Sequence, residues 1–232
     1  DTQRFVLSST ASDQFLTNAP VEQYANVDDY GTVAMLLSSA DLTRVKLEYT
    51  TAAGASGGSE YINRTYADGA FDTYSIYSEK QLIYLGCFPG NLQNFSSQFV
   101  AANMLGGKIE VTPYDGSTQI GKTYTININC PNNKGYESIR LAWVNKWGAW
   151  DYYTFTKKSI RTISAKGTTY TQLGGSWHSN YYKVQSYRGG KKSFRVNATE
   201  KITMNTGFVS ENDNVMFEEL MNSPEVYILE GF

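Results

Sequence analysis

Apolar and polar residues alternating at a period of two restrict this chain more than any other feature. Across residues 42–49, Val45, Leu47 and Tyr49 fall on one side, with Arg44, Lys46 and Glu48 on the other. That is the pattern of a strand with one face in a core. It recurs over 28–37, where Val33, Met35 and Leu37 share a face, and over 123–130 with Tyr124, Ile126, Ile128 and Cys130. Residues 81–87 read as a compact apolar strand. Residues 107–114 and 119–130 read as a hairpin turning at Asp115-Gly116. Two further short strands are expected over 61–77, around Ala67-Asp68-Gly69. Segments of this kind, at a spacing of roughly 8–12 residues over 27–130, predict a β-sandwich or jelly-roll-like module. Residues 1–26 precede it as an N-terminal extended arm or edge strand, since Pro20 holds Ala19 extended.

The run at 131–135, Pro-Asn-Asn-Lys-Gly, breaks the pattern and marks the expected boundary to a second β-rich module over 136–232. That module opens on Leu141-Ala-Trp-Val-Asn-Lys-Trp-Gly-Ala-Trp-Asp-Tyr-Tyr-Thr-Phe155, which holds three of the four tryptophans. It reads as a hairpin turning over 146–149. Trp143 and Phe155 are expected in the core, with Trp147 or Trp150 nearer a neighbouring molecule. Asp151 and Tyr152 complete this set of core or interface anchors. Residues 160–164, 168–173, 194–198 and 201–205 are strand-like. Between them lie an aromatic loop with Trp177 and a basic turn with Arg188, Lys191 and Lys192, all further anchor candidates. One helix is expected, over 211–222. Ser210 and Asp213 cap it, Met216, Phe217, Leu220 and Met221 form its buried stripe, and Pro224 follows it. A last strand covers 226–229. The fold class is therefore mainly β, with a single helix inserted near the C-terminus.

The chain's chemistry is sparse. Charged residues are 18% and net charge is −2, so nucleic acid is not an expected partner. No run of 18 apolar residues points to a membrane span. Cys87 and Cys130, without a CxxC neighbour, are read as two buried free thiols, with one disulfide as the alternative. A zinc site is not expected with His178 as the only histidine. The glycines at 54, 57 and 58 read as a loop tip, and their spacing fits no phosphate loop. Asp151 beside the tryptophans suits a sugar site, but no second carboxylate can be paired with it as glycoside hydrolysis requires. Its simpler role is to satisfy backbone donors at the hairpin. The cations at 188–192 read as a solvated tip or a subunit contact rather than a strand-binding patch. Sequons at Asn63, Asn94 and Asn197 matter only in a protein secreted by a eukaryote. Neither catalytic residues nor cofactors are expected. The chain opens on Asp1, which fits a processed product or a fragment.

Phe15-Leu-Thr-Asn-Ala-Pro20 resembles the FLTNAP opening of a family of virion structural proteins from tailed bacteriophages, found especially in phages of Bacteroidetes and marine bacteria. Cys130 followed by the 141–155 stretch is similar to that family's cysteine and LxWLNxLGGxDxxxF signature. Residues 206–211 and 219–227 resemble its helix-plus-strand tail. The chain departs from the pattern at Lys146-Trp147, where an apolar or Arg-Leu pair is commoner, and at Ala149, where a second glycine is usual. The resemblance implies a non-enzymatic particle component at the tail, neck or portal vertex, assembled in the bacterial host cytoplasm. Its implied partners are copies of itself and other virion proteins. A lectin-like, glycan-binding module on Trp177, Tyr181 and Tyr182, or on Trp147 and Trp150, is the alternative.

Overall fold

A computed structural model of the chain describes residues 2–7, 13–37, 42–63, 82–130, 135–178, 181–184 and 186–230. The fold is mainly β, as the alternation requires. A three-stranded sheet holds β1 (Val6–Leu7), β3 (Thr32–Leu37) and β6 (Leu82–Gly86), in the order β1-β3-β6. A larger sheet runs β2 (Glu22–Ala25), β9 (Tyr124–Ile128), β7 (Lys108–Asp115), β4 (Arg44–Thr50), β5 (Ser56–Asn63), with β8 (Thr118–Gln119) paired to β7. β2 lies parallel to β9, and β4 is antiparallel to both of its neighbours.

One core joins the two sheets. Val33 and Met35 of β3 and Ile83 and Leu85 of β6 belong to the same buried cluster as Val45, Leu47, Ile109, Val111 and Ile126. Each such side chain stabilises the fold by ~1.5–3 kcal/mol relative to exposure. The opposite face of β3 is covered as well. Ala34 packs there with Phe5, Leu16 and Ala149, and Leu36 and Trp147 close around them.

A second three-stranded sheet carries β10 (Ile139–Val144) between β11 (Trp150–Phe155) and β16 (Val226–Leu229). The aromatic stretch is thus a hairpin, with Val144 opposite Trp150 and Ile139 opposite Phe155. Trp143 is fully buried and Phe155 nearly so, as the sequence predicts.

Chain division differs from the expected boundary at 131–135. The two compact units are 1–157 with 206–232, and Lys158–Asn205. The aromatic hairpin therefore belongs with the first sandwich rather than opening a second module. The reason is that β11 packs against β2 and β3, with Tyr152 against the main core and Ala149 in the cluster on the other face of β3; β16 then brings the C-terminus back to pair β10. The second unit is a long two-stranded ribbon, β12 (Ile160–Gln172) against β15 (Gly190–Thr203), with a small hairpin of β13 (Gly175–His178) and β14 (Tyr181–Val184). The four short strands expected here are two long ones, interrupted only by a register shift at Thr168/Thr169.

Other expectations change locally. Residues 1–26 do not form a detached arm: Phe5 and Phe15 are buried, and β1 and β2 each lie at the edge of a sheet. Gly57 and Gly58 lie inside β5 rather than at a loop tip. A Cβ on Gly57 would sit 1.8 Å from the Tyr49 ring, so the glycine lets that ring lie across the neighbouring strand. Two short helices, α1 (Pro89–Phe95) and α2 (Ala101–Met104), add to the one helix that the sequence predicts. Pro89 suits a first helical turn, and Leu92 and Met104 anchor these helices in the core. Cys130 is exposed because β9 ends at Ile128; Cys87 is the buried thiol, and both are free. The C-terminal helix forms as a 3-10 turn at Glu211–Asp213 leading into α3 (Asn214–Asn222), with Ser210 and Asp213 in a capping box. Its buried positions are Met216 and Glu219, whereas Met221 faces solvent. The strands expected over 61–77 lie outside the described residues beyond Asn63, where β5 ends. No described helix is long and apolar enough to cross a membrane.

Candidate functional site

The turn between β10 and β11 is built on one buried amide, Asn145. Its Oδ1 accepts hydrogen bonds from the backbone N–H groups of Trp147 and Ala149, each at 3.0 Å. The turn also needs Gly148 at φ +81°, a left-handed conformation that costs a glycine little. Asn145 Nδ2 donates in two directions, to the Leu16 carbonyl at 3.1 Å and to Asp151 Oδ2 at 3.2 Å. One side chain thus fixes the turn, the N-terminal segment and a buried carboxyl. The backbone donors assigned to Asp151 from sequence are taken by Asn145 instead.

Asp151 is enclosed and bonded by side chains, those of Thr17 and Asn145. Burial pushes its carboxyl up to about 7, with a further upward contribution from Glu219 and opposing ones from its two hydrogen-bond partners. Glu219 is the second carboxylate that sequence reasoning could not name. It lies on α3, about seventy residues downstream, and is itself buried. Asn18 Nδ2 donates to Glu219 Oε1, and Lys146 Nζ stands 3.7 Å from the same oxygen. Arg4 Nη2 in turn donates to Asn18 Oδ1 at 3.0 Å. A hollow of about 250 Å³ lies beside Glu219, lined by Asn145, Lys146, Asn222 and Ser223.

The sign of the Asp151 effect on stability follows from linkage. A carboxyl that holds its proton more tightly when folded adds stability below the ordinary carboxylate range, and that stability is lost as pH rises to about 7. Asp151→Asn keeps the shape and an acceptor for Asn145. It is therefore expected to flatten the fall in stability between about pH 4 and 7 and to match or exceed wild type at pH 8, by up to about 4 kcal/mol. Urea unfolding at a series of pH values measures this. A wild-type stability curve as flat as the variant's would exclude a proton held at Asp151.

A second polar cluster holds the other end of β10. Arg140 Nη1 donates to Asp29 Oδ2 at 3.1 Å and to Thr154 Oγ1 at 2.7 Å, and its Nε donates to the Tyr30 carbonyl at 2.9 Å. Thr154 and the Asn26 N–H also donate to Asp29 Oδ2. The guanidinium lies over the Phe88 ring at 4.7 Å and over the Tyr152 ring at 5.1 Å.

The predicted anchors separate into three groups. Trp143 and Phe155 are core. Trp147 and Trp150 are half-buried but go to different neighbours in the same chain: Trp147 packs on Phe5 at 4.9 Å, and Trp150 on Tyr227 at 5.8 Å. Tyr152 hydrogen-bonds Thr32 and packs on Phe88. Trp150, Tyr152, Tyr227, Tyr30 and Asn91 line a shallow hollow of about 360 Å³. Arg188, Lys191 and Lys192 are exposed on the second unit, Arg188 lying over the Tyr187 ring at 5.5 Å. The side chain of Trp177 lies outside the described residues. Among the described residues no three His, Cys, Asp or Glu side chains gather as a metal ion would need.

Sequence reasoning missed the convergence of distant stretches. Residues 15–19 supply Phe15 to the main core, the Leu16 carbonyl to Asn145, Thr17 to Asp151 and Asn18 to Glu219. The hairpin supplies Asn145, Lys146 and Asp151, and α3 supplies Glu219. Ala149 adds a methyl to the satellite cluster, and Lys146 and Trp147 find Glu219 and Phe5. Compared with protein-family models, curated proteins and solved structures, the chain matches none of them.

Proposed function

We propose that this chain is a non-enzymatic structural component of a tailed-phage particle, in the tail, neck or portal-vertex region, working through contacts with copies of itself and other virion proteins. The observation that carries the reading is the convergence just described. The three stretches that resemble the virion family interlock at one buried network, and their distinctive polar residues hold the fold together. Asp151 is not among the residues lining any hollow described above. The exposed apolar side chains of the second unit, including Ile163, Leu173, Phe194 and Val196, add surface suited to a protein partner. Mass spectrometry of gradient-purified particles, with labelled antibody locating the chain by electron microscopy, tests the reading. The chain is expected at a fixed copy number in intact particles, and its absence from them would sink the proposal.

One observation favours a second reading, glycan binding. The hollow at Trp150 and Tyr227 offers two aromatic faces with Asn91 nearby as a polar group. Trp150→Ala is expected to abolish any saturable glycan-array signal while leaving Trp143 and the hairpin core intact. An array silent for the wild-type chain would remove this alternative.

A further inference from the structure

The small net charge conceals a segregation. Residues Lys158–Asn205 hold nine lysines and arginines and one carboxylate, a net of +8; the remaining 184 residues hold 11 and 21, a net of −10, and the two together give the chain's −2. The ribbon's single carboxylate, Glu200, already faces Arg161 at 3.4 Å. The unit has no other acid to match its cations. Apart from Gln172 and Ile202, all of β12 and β15 is exposed. Ribbon strands with no third strand beside them among the described residues present open backbone edges.

Residues 206–230 are the converse. They hold six carboxylates and no lysine or arginine. Glu219 is turned into the network above, while Glu211, Glu218, Glu225 and Glu230 are exposed. Phe208, Met221, Val226 and Ile228 are exposed among them. β16 pairs with β10 on one side, and no described strand pairs with its other side.

We propose that the basic ribbon of one copy docks on the acidic edge formed by α3 and β16 of a second copy. This deepens the assembly reading and rests on it only for the biological setting. The two surfaces match in charge, in apolar content and in open strand edges, so strand addition supplies backbone bonds and the charges set the register. A polyanion would match the cations alone and leave Ile163, Leu173, Val184 and Val196 in water. Because the two surfaces differ, the contact is head-to-tail, and repetition of it closes a ring or extends a filament.

Two charge-reversed variants of the full chain test this by sedimentation velocity. One carries Lys191→Glu, Lys192→Glu and Arg195→Glu; the other carries Glu211→Lys, Glu218→Lys and Glu225→Lys. The wild-type chain is expected to self-associate, with a loss of at least about tenfold in affinity between about 0.1 M and 0.5 M salt. Each variant alone is expected to be monomeric. A mixture of the two is expected to regain association through the unaltered ribbon of one and the unaltered edge of the other. One chain carrying both reversals is expected to regain it through its two altered faces, which misfolded faces could not do. A monomeric wild-type chain, association untouched by reversal, or no recovery on mixing would each overturn the proposal. So would a monomer whose ribbon instead binds fluorescent single-stranded DNA and loses it on reversal. A chain that self-associates in this way but is absent from particles sinks the virion reading alone, and a monomer found in particles sinks this one alone.

Discussion

Asn145→Ala is expected to destabilise the fold by on the order of 3–5 kcal/mol, a large share of the ~5–15 kcal/mol available to a domain. The substitution strands four partners at once: the Leu16 carbonyl, Asp151 Oδ2 and the N–H groups of Trp147 and Ala149. Each buried group left unsatisfied costs ~1–3 kcal/mol, and because the four share one site the costs do not simply add. Asn145→Asp separates the donor role from the acceptor role. It keeps Oδ1 for the turn but loses both donations and sets a second carboxyl beside Asp151. Its deficit is therefore expected to grow from pH 5 to pH 8, as carboxyls that share a site are forced to ionise. Denaturant midpoints at the two pH values measure both variants. An Asn145→Asp protein as stable as wild type at pH 8 would show that the turn alone, and not the link to Asp151 and Leu16, is what the residue serves.

The second large effect lies at the far end of the same strand. Arg140→Met is expected to cost about 3–5 kcal/mol, because it leaves Asp29 buried with a charge and without its cation. Thr154 and the Asn26 N–H remain as donors to Asp29, which keeps the loss below that of an isolated buried ion. Adding Asp29→Asn removes the stranded charge. The double variant is expected to recover about 1–3 kcal/mol of the loss summed over the two single variants. A double-mutant cycle by urea unfolding reads this directly. Strict additivity would mean that Arg140 acts by stacking on Phe88 and Tyr152, not through its charge.

Strands were legible wherever one face is buried and the other wet. In β4 the alternation of Val45, Leu47 and Tyr49 with Arg44, Lys46 and Glu48 reports burial residue by residue, because a strand's side chains take opposite faces. The hairpin was legible for the same reason, with Gly148 marking its turn. Pairing between distant segments was not. Nothing local to Val226-Tyr-Ile-Leu229 says that it returns to β10, and nothing local to the hairpin says that β11 packs against β2 and β3, which is what places it in the first unit. Glu219 is absent from the helix's expected buried stripe because a carboxylate is rarely buried; its neighbours, Asn18 and Lys146, supply it with a donor and a cation. The basic ribbon was hidden by averaging, since a net charge taken over the whole chain sums two opposite surfaces.

Ile160 pairs with Thr203, and Asn205 Nδ2 donates to the Lys158 carbonyl at 2.7 Å. On the other side of the junction, a Cβ on Gly207 would lie 3.1 Å from the Lys157 Cε. The chain thus leaves and re-enters at a single doorway. A segment whose ends already touch can lengthen, shorten or be exchanged at little cost in loop entropy, and such changes do not ask the remaining strands to find new partners. The ribbon is then a cassette, able to diverge with whatever it meets while the strands that carry it stay constant. A short turn joining residues 157 and 206 would be the natural form of a relative that meets a different neighbour.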